Sequence, residues 1–170
     1  MRALPRATTS TYKRHLLTLL ASLTGFMLLA GANAQSPTFG VSVIPLTGGW
    51  AEGMLTVAVP FHSFESNEGP VVLAGRLDVS APLNLSARPR IGLSATGMFT
   101  SHDMFQPFFG AGAALGWTGP VGAQHVYVTP TVLAGLRVPL PGVWSARIDA
   151  VVAPLVGIIS VGLGVDIALW

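Results

Sequence analysis

Apolar residues recur at every second position over long stretches of this chain, and the charged residues of those stretches fall on the opposite face. A β-strand turns successive side chains to opposite sides, so a period of two signals strand. Over residues 71–81, Val71, Leu73, Gly75, Leu77, Val79 and Ala81 form one set, and Val72, Ala74, Arg76, Asp78 and Ser80 the other. Over 90–100, Ile91, Leu93, Ala95, Gly97 and Phe99 alternate with Arg90, Gly92, Ser94, Thr96, Met98 and Thr100. Residues 126–138 and 159–169 repeat the pattern. The whole chain read this way predicts about eight strands, at 38–46, 50–61, 71–82, 89–100, 107–117, 125–138, 143–154 and 158–170. Turn signals such as Thr47-Gly48-Gly49, the stretch 66–70 and Pro141-Gly142 separate them.

The charges give an independent test. When apolar residues alone define each strand's outer face, Glu52, Arg76, Asp78, Arg90, Arg137, Arg147, Asp149 and Asp166 all land on the inner one. A soluble exported β-sandwich also alternates, with one wet face, but that face should be rich in Lys and Glu. Here it is mostly Gly, Ala, Ser and Thr, with a few charges of both signs. Small residues and opposed charges suit the inside of a narrow barrel. Only 9% of the chain is charged, against about 25% in a typical soluble domain, so much of the surface is expected not to meet water.

A bilayer admits helices or closed barrels. A spanning helix needs about 20 apolar residues, and the best candidate after the leader, 151–170, contains Pro154 and Asp166. The expectation is therefore an all-β fold: a closed antiparallel up-and-down barrel of about eight transmembrane strands. Each strand is long enough for the 9–11 residues or so that a tilted crossing needs. Bacterial single-chain barrels use even strand numbers from eight upward. Traced alternately up and down, the strands put Phe39, Phe61, Phe99, Phe109 and Trp144 near one rim and Trp117 at the other. Aromatic girdles at both interfaces are a barrel feature.

The first residues carry a separate signal. Arg2, Arg6, Lys13 and Arg14 precede an apolar run at 16–30, and Ala32-Asn33-Ala34 follows. Basic, apolar and small residues in that order form a secretory signal, expected to be cleaved after Ala34 and to leave 35–170 as the barrel. The remainder has five Arg (76, 88, 90, 137, 147) against seven acids (52, 65, 68, 78, 103, 149, 166), a net charge of −2. The basic balance of the whole chain thus resides in the leader, and nothing suggests a nucleic-acid partner, which needs clustered Lys and Arg. With no Cys, there is no disulfide, thiolate zinc site or iron–sulfur cluster.

With the strand count, the leader, the 107–117 stretch "PFFGAGAALGW" and the terminal Trp170, residues 35–170 resemble the small bacterial outer-membrane β-barrels of the OmpA type. The resemblance implies location in the cell outer membrane, with outer-membrane lipid and the barrel assembly machinery as partners. A terminal aromatic is similar to the signal read by that machinery, which assigns this role to Trp170. In the family signal the aromatic shares the lipid-facing side. Trp170 instead has the parity of Asp166 and Ala168, which predicts either a bulge near the end or an inward Trp170. The connections are short for this class, the longest being 62–70 on the expected periplasmic side.

The inward charges are the clearest chemical constellation. Charges in a narrow lumen must pair, because isolated ones are costly to desolvate. They predict a salt-bridge plug, with a polar path for small solutes as the other reading. The stretch His62-Ser63-Phe64-Glu65 collects nucleophile, base and orienter types, and lipid A deacylases are small barrels using such residues. A triad needs partners from separate places, so the stretch reads as a turn. His62, His102 and His125 match no zinc spacing. Neither a catalytic nor a metal residue is expected, and no cofactor. The reading is a non-enzymatic barrel with a plugged lumen and a structural, envelope-integrity role. A narrow pore or small-solute binder, a lipid A-modifying enzyme and a soluble exported β-sandwich are the alternatives.

Overall fold

A computed structural model of the chain describes residues 36–45, 51–83, 89–100, 104–118 and 125–169. The leader and its cleavage site, His102-Asp103, Arg88 and Trp170 lie outside the described residues.

Eight strands follow one another around a closed barrel: β1 (Thr38–Pro45), β2 (Ala51–Ser66), β3 (Gly69–Pro82), β4 (Arg90–Phe99), β5 (Gln106–Thr118), β6 (His125–Pro139), β7 (Trp144–Ala153) and β8 (Ile158–Ala168). Each pairs antiparallel with its neighbours in sequence. The ring closes where β1 meets β8, from Thr38↔Ala168 to Val43↔Leu163. Closure leaves no sheet edge along the wall, so backbone groups are satisfied from strand to strand without water. The arrangement is the expected all-β barrel and not the two-layered sandwich, which keeps open edges.

The alternation sorts side chains as it does in the sequence. Leu93, Val128, Ile159 and Leu163 face outward and are 61–73% exposed, while Ser42, Thr56, Thr129 and Asp166 face inward and are essentially inaccessible. A soluble fold rarely leaves so many large apolar side chains bare over one continuous surface. Among the described residues, Glu65 and Glu68 are the only acidic or basic side chains outside the lumen, and both sit on one hairpin.

That hairpin corrects the sequence reading. Residues 62–70 are not a loop: β2 runs on to Ser66, β3 starts at Gly69, and only Asn67 and Glu68 turn the chain. Gly69 takes a positive φ of 108°, which a side chain rarely adopts. The Ser66 hydroxyl accepts from the Glu68 amide and donates to the Gly69 carbonyl. The extension depends on a β-bulge. Pro60 pairs with Ala74 and His62 with Leu73, leaving Phe61 as the extra residue. One extra residue inverts the alternation beyond it. His62 and Phe64 therefore share the outward side of Leu73, and their rings stack 6.2 Å apart. At the other end of the chain, β8 pairs with both neighbours through Ala168 or Ile167 without a register shift.

Candidate functional site: the ion-paired lumen

Glu52 and Arg90 pair across the lumen from β2 and β4, near the end distal to the chain termini. The six other inward charges form one continuous chain of alternating sign. Asp78 accepts from Arg76 Nε at 2.9 Å, and Arg76 Nη2 reaches Asp149 on the far wall at 2.5 Å. Asp149 Oδ2 lies 3.3 Å from Arg147 Nε, and Arg147 Nη1 lies 3.0 Å from Asp166. Asp166 accepts from Arg137 Nη2 at 2.9 Å. The order Asp78–Arg76–Asp149–Arg147–Asp166–Arg137 spans β3, β7, β8 and β6.

With four Arg and four carboxylates, the lumen is neutral overall. Hydroxyls fill the remaining positions. Arg147 Nη2 donates to Ser42 at 2.6 Å and to Thr56 at 3.0 Å, while Thr56 donates to Asp78 at 2.7 Å. Thr38 accepts from Arg137 at 3.2 Å. The Arg76 guanidinium also lies over the Phe108 ring, 5.7 Å from its centre, within cation–π range.

Small residues opposite make this crowding possible. A Cβ on Gly40 would lie 1.9 Å from an Asp166 carboxylate oxygen, and one on Gly135 would lie 2.3 Å from the Phe108 ring. The composition "Gly, Ala, Ser, Thr with a few charges" is thus the complement of its own large inward side chains.

The network divides the lumen. Toward the termini lies a cavity of about 440 Å³, with Arg76, Arg137 and Arg147 in its lining. On the distal side lies a space of about 70 Å³, bordered by Asp78, Arg90 and Tyr127. The two share no lining residue.

The aromatic residues singled out in the sequence divide less evenly. Phe39, Phe61, Phe109 and Trp144 are exposed, while Phe99 and Trp117 are half-buried. Phe39 and Trp144 both flank Ile167, at the same height. His62, Ser63 and Glu65 do not converge: among the described residues His62 makes a ring contact with Phe64 and no hydrogen bond to the other two. The alternation over 126–138 places Tyr127 on the inner face, where it borders the distal space; sequence reasoning missed the inward Phe108, the particular hydroxyl partners and the cavity toward the termini. Phe108 sits at an even position of β5, opposite in phase to Phe109, and that phase was its available signal.

No family model and no curated protein matches this sequence. Solved structures do. A de novo designed transmembrane β-barrel matches with 11% identity over 81% of this chain and 98% of that one, at a TM-score of 0.55. The N-terminal β-barrel domain of Pseudomonas aeruginosa OprF matches with 15% identity, over 78% and 96%, at 0.54. The outer membrane enzyme PagL matches with 17% identity, over 78% and 99%, at 0.51. The strand order defines a closed eight-stranded up-and-down β-barrel, a fold similar to that of these structures. At these identities the likeness is one of fold.

Proposed function

We propose that this chain is an outer-membrane β-barrel with a structural, envelope-integrity role, its lumen closed by ion pairs and its termini on the periplasmic side. The observation that carries this reading is the distribution of charge. Eight ionised groups face inward and pair, while among the described residues the only Asp, Glu, Lys or Arg outside the lumen are Glu65 and Glu68, on the hairpin that joins β2 to β3. A lipid-facing charge is destabilising at mid-bilayer, and an eight-stranded interior is narrow enough for side chains to fill. Four of the groups that cross the middle, Arg76, Arg147, Asp149 and Asp166, are buried to at least 95%, which supports a closed lumen.

Two measurements test it. The mature protein in the membrane fraction should migrate differently on SDS gels before and after boiling, and in planar bilayers it should show no unitary conductance. Recovery as a soluble periplasmic protein overturns the membrane assignment, and steady single-channel openings overturn the closed lumen. A deletion strain should be sensitised to detergents and large antibiotics, with His62→Ala restoring resistance as well as wild type. Loss of complementation together with altered lipid A would favour an enzyme.

A further inference from the structure

We infer that the lower cavity is a binding site for a single-chain anionic amphiphile, whose head group lies against Arg137 and whose tail lies against Val72, Met98 and Phe108. The charge chain ends differently at its two ends. Each aspartate between two arginines is shared: Asp149 serves Arg76 and Arg147, and Asp166 serves Arg147 and Arg137. Asp78, at one end, borders the distal space. Arg137, at the other, has a share of Asp166 as its ion-pair partner and Thr38 as its hydroxyl partner, and its buried Nε, like that of Arg147, has no hydrogen-bond partner.

Arg76, Arg137 and Arg147 all line the cavity toward the termini, and no described carboxylate does. A neutral network therefore presents a cationic floor to one side. Arg137 keeps 15% of its side chain exposed there, so the floor can be reached.

The walls are of another kind. Val72, Met98, Phe108, Ala58 and Pro60 give apolar surface, and the rim reaches Thr38, Thr100 and Ala168 at the strand ends. At about 440 Å³, the space falls in the range of ligand sites, roughly 300–1,000 Å³, which combine apolar lining with a few placed polar groups. An eight-stranded barrel can hold one small ligand. A cationic floor under apolar walls selects a molecule with one negative head and one hydrocarbon tail. A carboxylate or phosphate fits the planar guanidinium fork.

The test needs no conductance and does not depend on the envelope role. The mature barrel, refolded in nonionic detergent with methyl-13C methionine, is titrated with octanoate, octyl phosphate, octanol and octyltrimethylammonium. Met98 lines this cavity and Met54 the distal space, so Met54 is the internal control. The expected result is a saturable shift of Met98 alone with the anions, at least tenfold tighter than with octanol, and none with the cation. Arg137→Gln, checked for its boiling-dependent gel shift, should weaken anion binding tenfold or more. Preference for the phosphate assigns the ligand to lipid head groups, and preference for the carboxylate assigns it to free fatty acids. Equal affinity for all four head groups, or no Met98 shift with either anion on the wild-type protein, overturns the inference.

Discussion

Asp149 is the carboxylate on which the plug turns. Its side chain is 2% exposed and lies between Arg76 at 2.5 Å and Arg147 at 3.3 Å. Asp149→Asn removes one negative charge and leaves two buried guanidiniums with a single aspartate each, Asp78 and Asp166, the latter already shared with Arg137. Unit charges about 4 Å apart interact by roughly 4 kcal/mol at an effective dielectric near 20, and breaking a buried pair typically costs about 3–5 kcal/mol. Arg147→Gln should cost a similar amount, because it strips Asp149 and Asp166 of a shared donor and also abandons Ser42 and Thr56.

The double variant differs in kind. With both residues neutral, Arg76 keeps Asp78, Arg137 keeps Asp166 and the lumen is again uncharged overall. Its cost should fall short of the sum of the singles by at least about 2 kcal/mol, the coupling expected of partners in one network. Reversible urea unfolding in lipid vesicles measures all four proteins. Additive costs, or an Asp149→Asn cost below about 1 kcal/mol, would show that the pairs do not hold the lumen and would refute the reasoning.

Further predictions rest on single positions. Leu163→Arg, at the outward centre of β8 with 61% exposure, should cost about 2–4 kcal/mol in vesicle unfolding, the range for a lipid-facing Arg at the midplane. Gly40→Ala should cost about 1–3 kcal/mol as an overpacked interior, because its Cβ would overlap Asp166. Glu52→Gln should cost about 1 kcal/mol or less in the same unfolding assay, since its partner Arg90 is 25% exposed and solvent screens such pairs.

The barrel was legible because its outer and inner faces differ in chemistry along every strand. An apolar exterior and packed ion pairs inside leave a two-residue period that even Gly-rich strands such as 107–117 keep, and the charges reported the phase independently. The bulge was harder to read. Its mark is a phase change, from outward Val57 to outward His62 and Phe64, but the polar run beyond it, ending in Gly69-Pro70, has the composition of a turn. A local rule therefore took a strand for a loop. The same-strand neighbours Arg76 and Asp78, and Arg147 and Asp149, were readable two residues apart, but partner choice between strands was not. Which arginine meets which aspartate depends on the stagger of strands far apart in sequence, as with Arg76 and Asp149, 73 residues apart. The lower cavity is a remainder of volumes at one height and has no sequence pattern of its own.

The route by which the charge chain can form bears on assembly. Its members come from β3, β6, β7 and β8, and its hydroxyl partners from β1 and β2. The contacts of Arg147 with Ser42 and Thr56 bridge 105 and 91 residues, and they arise only when the last strands reach the first. A sheet short of β1 would leave Arg147 without Ser42 and Arg137 without Thr38. Closure therefore adds the cross-lumen contacts together: Arg76 with Asp149, and the arginines of β6 and β7 with the hydroxyls of β1 and β2. Such a barrel should insert nearly all-or-none, with long-range closure setting its pace.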